Sequence, residues 1–124
     1  MGLDQYAYKT KREEAKGVDF KIDSTIDEEL CYWRKHPNLQ GLMEEIYRKK
    51  GGKAEDFNIV PVELTKEDLI EIGDKVINSK LPSTKGFFFG SESDEHYFED
   101  DVQFLEKAKK AISEGYVVYY TSWW

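Results

Sequence analysis

Gly115-Tyr116-Val117-Val118-Tyr119-Tyr120-Thr121-Ser122-Trp123-Trp124 are the last ten residues of the sequence, and their reading decides the fold class. β-Branched and aromatic residues dominate, the composition of a strand on a pleated, half-buried surface. Immediately upstream, Phe104, Leu105, Ala108 and Ile112 recur at helical spacing, and Gly115 is the natural stop for that helix. A helix that runs through a glycine into an aromatic strand belongs to a sheet with helices packed against it. Adjacent strand residues point to opposite faces, so Tyr119 turns away from Tyr120.

Working back from this segment, the acidic stretch Ser91 to Asp101 leads into the helix. Phe87-Phe88-Phe89 reads as a short apolar strand after the loop Leu81 to Gly86. Thr65 with Asp68 opens another helix, whose stripe is Leu69, Ile72 and Val76. Phe57 to Leu64 is expected to be a strand interrupted by Pro61, at an edge or a bulge. Asn38 caps a helix with Leu39, Leu42, Met43 and Ile46 on one stripe, ended by Gly51-Gly52. Thr25 and Glu28 have capping-box spacing, and Ile26, Leu30 and Trp33 recur at helical spacing, so a helix is expected from Thr25 to Lys35. Val18 to Ile22 alternates apolar and polar as a half-buried strand does, and Leu3 to Thr10 reads as the first strand. The expected class is α+β: one sheet of about four to five strands packed by about four helices, in a single globular domain over residues 1–124.

The chain has 124 residues with a net charge of −7, spread unevenly. Residues 1–62 hold 12 acids against 11 bases, and residues 63–124 hold 13 against 7. Nucleic acid binding needs clustered Lys and Arg, and the short runs Lys9-Lys11-Arg12 and Arg48-Lys49-Lys50 do not supply it. The second run suits the last turn of a helix. No stretch approaches the roughly 20 apolar residues that span a bilayer, and Tyr6 stands where an acylation signal wants Ser or Thr. With Cys31 as the only cysteine, no internal disulfide forms and a cytoplasmic home is expected. Partners therefore include neither nucleic acid nor membrane.

Candidate chemistry is sparse. The oxygen-rich segment Glu92 to Asp101 would suit a hard cation, with His96 and Glu99 on one helical face. It does not match the calcium-loop pattern, and an acidic first helical turn explains it as well. Cys31, His36 and His96 have no recognised ligand or triad spacing, and a helical Cys31 is read as a small hydrophobe. Gly51-Gly52-Lys53 follows a helix and has Ala54 where a phosphate loop has a hydroxyl. No catalytic residue, metal ligand or cofactor is expected.

The aromatic clusters are the more informative feature: Tyr32-Trp33, Phe87-Phe88-Phe89, Tyr119-Tyr120 and Trp123-Trp124. In each strand cluster one member lies under a covering layer or faces out. Core packing on a sheet covered on both faces is the bland reading. The sharper one is an exposed recognition surface beside Arg34. Candidate binding residues are Tyr32, Trp33, Arg34, His36, Phe88, His96, Tyr120 and Trp123.

Met1-Gly2-Leu3-Asp4, Tyr32-Trp33-Arg34-Lys35, Leu81-Pro82 before Gly86-Phe87-Phe88-Phe89-Gly90, Asp100-Asp101 and Tyr119-Tyr120-Thr121-Ser122-Trp123 together resemble a family of small phage and prophage proteins. The resemblance covers nearly the whole chain. It departs at Leu42, where many relatives carry a larger aromatic. Such proteins are often labelled phosphoglycerate kinase. That enzyme closes two domains around its substrates, and one domain of this length without a phosphate loop does not match it. The resemblance implies a phage-encoded accessory protein acting in the host cytoplasm.

The expected function is binding to a host protein during infection, for host takeover or anti-defence, and the reading leans away from an enzyme. The alternative is a small-molecule or nucleotide binder, or a weak hydrolase, using Tyr32, Arg34, His36, His96 and Trp123. A pocket gathering Arg34 and both histidines favours the alternative. A flat aromatic patch rimmed by carboxylates favours the binder.

Overall fold

The computed structural model describes residues 2–86, 89 and 94–124. Among these residues four strands form one antiparallel sheet, β1 (Asp4–Thr10), β2 (Glu28–Arg34), β3 (Val62–Leu64) and β4 (Val117–Trp123), in the order β2-β1-β4-β3. Three helices, α1 (Pro37–Lys49), α2 (Lys66–Ile77) and α3 (Asp94–Ser113), pack on one face. The class is α+β, with three helices where the sequence suggested about four. None of the described helices is long and apolar enough to cross a membrane.

The missing helix is the one expected from Thr25 to Lys35, which is strand β2 preceded by a turn. Asp23 takes over the capping signal: its carboxylate accepts from the Thr25 hydroxyl at 2.6 Å and backbone N–H at 3.1 Å. The Asp23 carbonyl then accepts from the Asp27 N–H at 2.9 Å, which completes a turn. The helical spacing of Leu30 and Trp33 has another cause. Ala7 pairs with Cys31 but Tyr8 pairs with Glu29, so β2 carries an extra residue at a bulge. That insertion resets the strand alternation and puts Leu30 and Trp33 on the same, helix-facing side.

The expected strand from Val18 to Ile22 is reduced to one bridge, Val18 with Val62. Asp19 has a positive φ of 59°, which breaks the extended run, and Phe20 folds edge-on against Tyr119 with ring centres 5.1 Å apart. Of the expected strand Phe57 to Leu64, only Val62–Leu64 pairs as a strand. Ile59 just before it holds φ at 60°. Phe89 lies in a turn, donating its N–H to the Gly86 carbonyl. Phe87 and Phe88, the rest of that expected strand, lie outside the described residues.

The start of α1 also differs from expectation: the helix begins at Pro37, before the Asn38 expected to cap it, with His36 at the N-cap and no side-chain cap bond, and the Asn38 side chain bonds Asp94 and Thr84 instead. Thr65 and Asp68 form a reciprocal capping box at α2. Pro37 occupies the first turn of α1, where its missing N–H costs nothing. The Gly41 position in that helix is a close approach: a Cβ there would stand 1.8 Å from the Thr84 hydroxyl oxygen. The loop before α3 therefore lies directly on α1, with the Thr84 N–H donating to the Asn38 side chain at 2.9 Å.

The core fills the space between the sheet's helix face and the helices. Ala7, Trp33, Val62, Leu64, Val118 and Tyr120 meet Leu42, Met43 and Ile46 of α1, Leu69 and Ile72 of α2, and Phe104, Leu105 and Ala108 of α3. Burying each large side chain contributes about 1.5–3 kcal/mol. Side chains and loops close the sheet edges. At β2, the Tyr97 hydroxyl bonds both the N–H and the carbonyl of Arg34, and Lys107 reaches the Leu30 carbonyl. At β3, Glu63 donates its N–H to the Gly17 carbonyl at 2.8 Å, and the Asp19 N–H reaches the Pro61 carbonyl. Covered edges keep strand addition from competing with the native sheet.

Candidate functional site

The face of the sheet opposite the helices is built from three cross-strand rows. The register aligns Arg34, Asp4 and Trp123 in the first row, Tyr32, Tyr6 and Thr121 in the second, and Glu29, Tyr8 and Tyr119 in the third. Directly opposed residues share a face, so β1 contributes Asp4, Tyr6 and Tyr8 at every second position. The rings run on continuously: Tyr32 to Tyr6 at 5.2 Å, Tyr6 to Tyr8 at 6.0 Å, and Tyr8 to Tyr119 at 5.4 Å between centroids.

One end of this face is covered and the other is open. At the covered end, Arg12 makes a two-pronged contact with Asp27, Nε to Oδ1 at 2.9 Å and Nη2 to Oδ2 at 2.6 Å. The Tyr119 hydroxyl donates to the same carboxylate. Burial would raise the pKa of Asp27, but the hydrogen bonds from Arg12, Thr10 and Tyr119 prevail and hold it at about 2. This clasp ties the segment between β1 and β2 over Tyr119, which is fully buried.

At the open end, Tyr32 is 43% and Trp123 64% exposed. Asp4 sits between them in the register and accepts from the Tyr32 hydroxyl at 2.5 Å and from Arg34 Nη1 at 3.2 Å. Those contacts tie Tyr32 and Arg34 to one carboxylate. The Asp4 hydrogen bond raises the Tyr32 pKa, and burial raises those of Tyr6 and Tyr8, so the ladder stays neutral at physiological pH. Gly2, with φ at 139°, makes room for the guanidinium, since a Cβ there would meet Arg34 Nη2 at 3.2 Å.

The remaining expected residues lie elsewhere. Trp33, His36 and Tyr120 are wholly buried and stand behind the face rather than on it. Gln5 connects them, donating to the His36 carbonyl at 3.0 Å and to the Tyr120 hydroxyl at 2.9 Å, and accepting the His36 N–H at 2.8 Å. Tyr120 passes its proton donor on to Gln40. Asp101 receives Trp33 Nε1–H at 2.9 Å and stands 2.9 Å from His36 Nε2. Burial pushes the Asp101 pKa up, and these two hydrogen bonds act against it. His96 is exposed, edge-on to Tyr97 at 4.7 Å. Phe88 lies outside the described residues.

The structure thus brings Tyr32, Arg34 and Trp123 onto one surface and sets His36 in the interior. Cys31 is half-buried, with its thiol pushed up to about 11 chiefly by burial, so it stays protonated at neutral pH. The described residues hold no group of three or more His, Cys, Asp or Glu side chains arranged for a metal ion. Sequence reasoning did not single out Asp4, Tyr6 and Tyr8, although their period-two spacing was the available signal. The Arg12–Asp27 clasp had no local signal at all. Comparison with protein-family models, with curated proteins and with solved structures found no match to this chain.

Proposed function

We propose that this chain is a phage-encoded accessory protein that works by binding a host protein in the host cytoplasm, through the open end of its aromatic sheet face. The observation that carries this reading is the exposure of Tyr32 and Trp123 on one face, on either side of the Asp4–Arg34 pair. Tyrosine and tryptophan give large contact area at low conformational cost, and arginine joins them in binding hot spots. Asp4 already bonds both Tyr32 and Arg34 in the free protein, which reduces what a partner must order. The same surface carries the Glu29 carboxylate beside the Asp4–Arg34 pair, and the partner in this reading presents a basic surface, such as a nucleic-acid groove. Phage origin and a role in host takeover or anti-defence rest on the sequence resemblance.

A test is native mass spectrometry of the tagged protein gently purified from a bacterial host extract. A host protein at fixed stoichiometry, lost with Trp123→Ala, supports the reading. A small bound mass and no protein would replace it with a ligand-binding function.

A further inference from the structure

The helical layer carries a groove of its own, away from the aromatic face. Where the first turn of α2 meets the last turn of α3, a cavity of about 500 Å³ opens, lined by Lys66, Leu69, Ile70, Lys109, Ile112 and Ser113. Pockets of about 300–1,000 Å³ hold small ligands. A smaller cavity of about 180 Å³ continues it toward β3 and β4: Lys66 and Ile112 line both, and Leu64, Tyr116 and Val117 extend the apolar wall. Leu69 is fully buried and forms the floor, while Ile70 is 59% exposed and stands at the lip. Ile77, two turns further along the same side of α2, is exposed as well, and neither isoleucine belongs to the core. β-Branched residues are poor choices at exposed helical positions, where propensity alone favours Ala, Glu, Lys or Arg. A single exposed isoleucine needs no explanation, but one at the rim of an apolar groove does.

Charge marks the same place. The chain's net charge is −7, yet the described residues lining the larger cavity include no Asp or Glu, and their charged groups are Lys66 and Lys109. Among the described residues neither lysine is ion-paired. Two carboxylates of α2 are already engaged, Asp68 by Lys50 and Glu71 by Lys49 at 4.0 Å. In the adjoining cavity, the Glu63 carboxylate accepts the Gly17 N–H at 2.8 Å. The positive end of the α2 dipole and the negative end of the α3 dipole meet here and offset each other, so the lysines set the sign. The lining spans Lys66 to Ile70 and Lys109 to Ser113, about 6 Å of each helix at 1.5 Å per residue. A docked helix anchors over i to i+7, about 10 Å, and is too long for it. A flexible alkyl chain fits that length and follows the continuation past Ile112.

We propose that this groove binds a free aliphatic carboxylate of medium chain length. Its alkyl chain lies on Leu69, Ile70 and Ile112 and runs on toward Tyr116, and Lys66 and Lys109 hold the carboxylate at the rim.

The test is a titration of the methyl-labelled protein with sodium octanoate at neutral pH, followed by the nuclear magnetic resonance signals of the Ile70 and Ile112 methyl groups, with the Trp123 indole N–H as a reference on the opposite face. Saturable shifts at both isoleucines, with Trp123 unmoved, are expected. Acetate, which lacks the chain, is expected to leave the isoleucine signals in place, and 1-octanol, which lacks the charge, to bind about fivefold more weakly than octanoate. Lys66→Gln combined with Lys109→Gln should weaken octanoate by about fivefold and leave 1-octanol unchanged, whereas Ile70→Ser should weaken both. Both lysines are exposed; should the double variant fail to fold, each single variant, with an expected loss of about twofold, carries the comparison. The proposal is overturned by no saturable shift with octanoate, by 1-octanol or acetate binding as tightly as octanoate, or by octanoate affinity that the lysine variants leave unchanged. An acidic amphipathic peptide that displaces octanoate at tenfold lower concentration also overturns it and assigns the groove to a protein partner. Because none of these residues lies on the aromatic face, failure here leaves the proposed recognition surface untouched.

Discussion

Replacing Asp27 with asparagine should destabilise the protein strongly at neutral pH, and the penalty should shrink in acid. Asp27 is buried and holds Arg12 through two hydrogen bonds of 2.9 and 2.6 Å, with the Tyr119 hydroxyl as a third donor. Removing one member of such a pair leaves a nearly buried guanidinium without its counter-charge, which costs about 3–5 kcal/mol. Part of that is the ionisation itself. The folded carboxyl is held at about 2 against a reference of 3.8, a difference worth roughly 2–3 kcal/mol at 1.36 kcal/mol per pH unit. The folded-state pKa lies below the unfolded one, so the unfolded chain takes the proton first as pH falls. The stabilisation is complete above about pH 4 and is lost on descent through about pH 2. Urea unfolding of the native protein and Asp27→Asn, followed by tryptophan fluorescence at several pH values, measures the difference directly. The expected gap is about 3–5 kcal/mol at pH 7, narrowing by about 2 kcal/mol near pH 2. A gap below about 1 kcal/mol at pH 7, or one that stays constant down to pH 2, would refute the clasp.

Trp33→Phe should cost about 2–4 kcal/mol in chemical unfolding, because it shrinks a buried ring and leaves Asp101 without the indole donor. Gly41→Ala should lose about 1–3 kcal/mol of stability by driving a methyl group into Thr84, and pairing it with Thr84→Gly should recover part of that loss in a double-mutant cycle. Ile59→Gly should raise the melting temperature by a few degrees. It relieves a β-branched residue, 54% exposed, from a left-handed conformation that costs about 1–2 kcal/mol. Trp123→Ala should stay within about 1 kcal/mol of the native stability in the same assay, since the indole makes the face rather than the core.

Much of the fold was legible because its signals are local. The capping box of Thr65 and Asp68, the stripe of α3 and the β-branched run of β4 all formed where residue chemistry placed them. β2 was hidden by long-range pairing. The bulge opposite Ala7 and Tyr8 makes Leu30 and Trp33 share a face at a spacing of three, which in isolation reads as a helix. Asp23 captured Thr25 and removed the apparent cap. The site was half legible for the same reason. Alternation separates Tyr32 from Trp33 and Tyr119 from Tyr120, but only the helices' choice of side decides which member is buried. Tyr119 shows a further step: it faces away from the helices, yet the segment clasped by Arg12 and Asp27 covers it. That contact spans 92 residues of sequence between Asp27 and Tyr119.

The recognition surface is tested most directly by affinity for the captured partner, measured for the native protein, for Tyr32→Ala with Trp123→Ala, and for Ile70→Ser on the exposed side of α2. If the aromatic face is the contact, the double substitution weakens binding by about 100-fold or more, as two hot-spot residues do, and Ile70→Ser changes it less than about threefold. Unchanged affinity in the double variant, with its fold intact, would place the contact elsewhere and contradict the account.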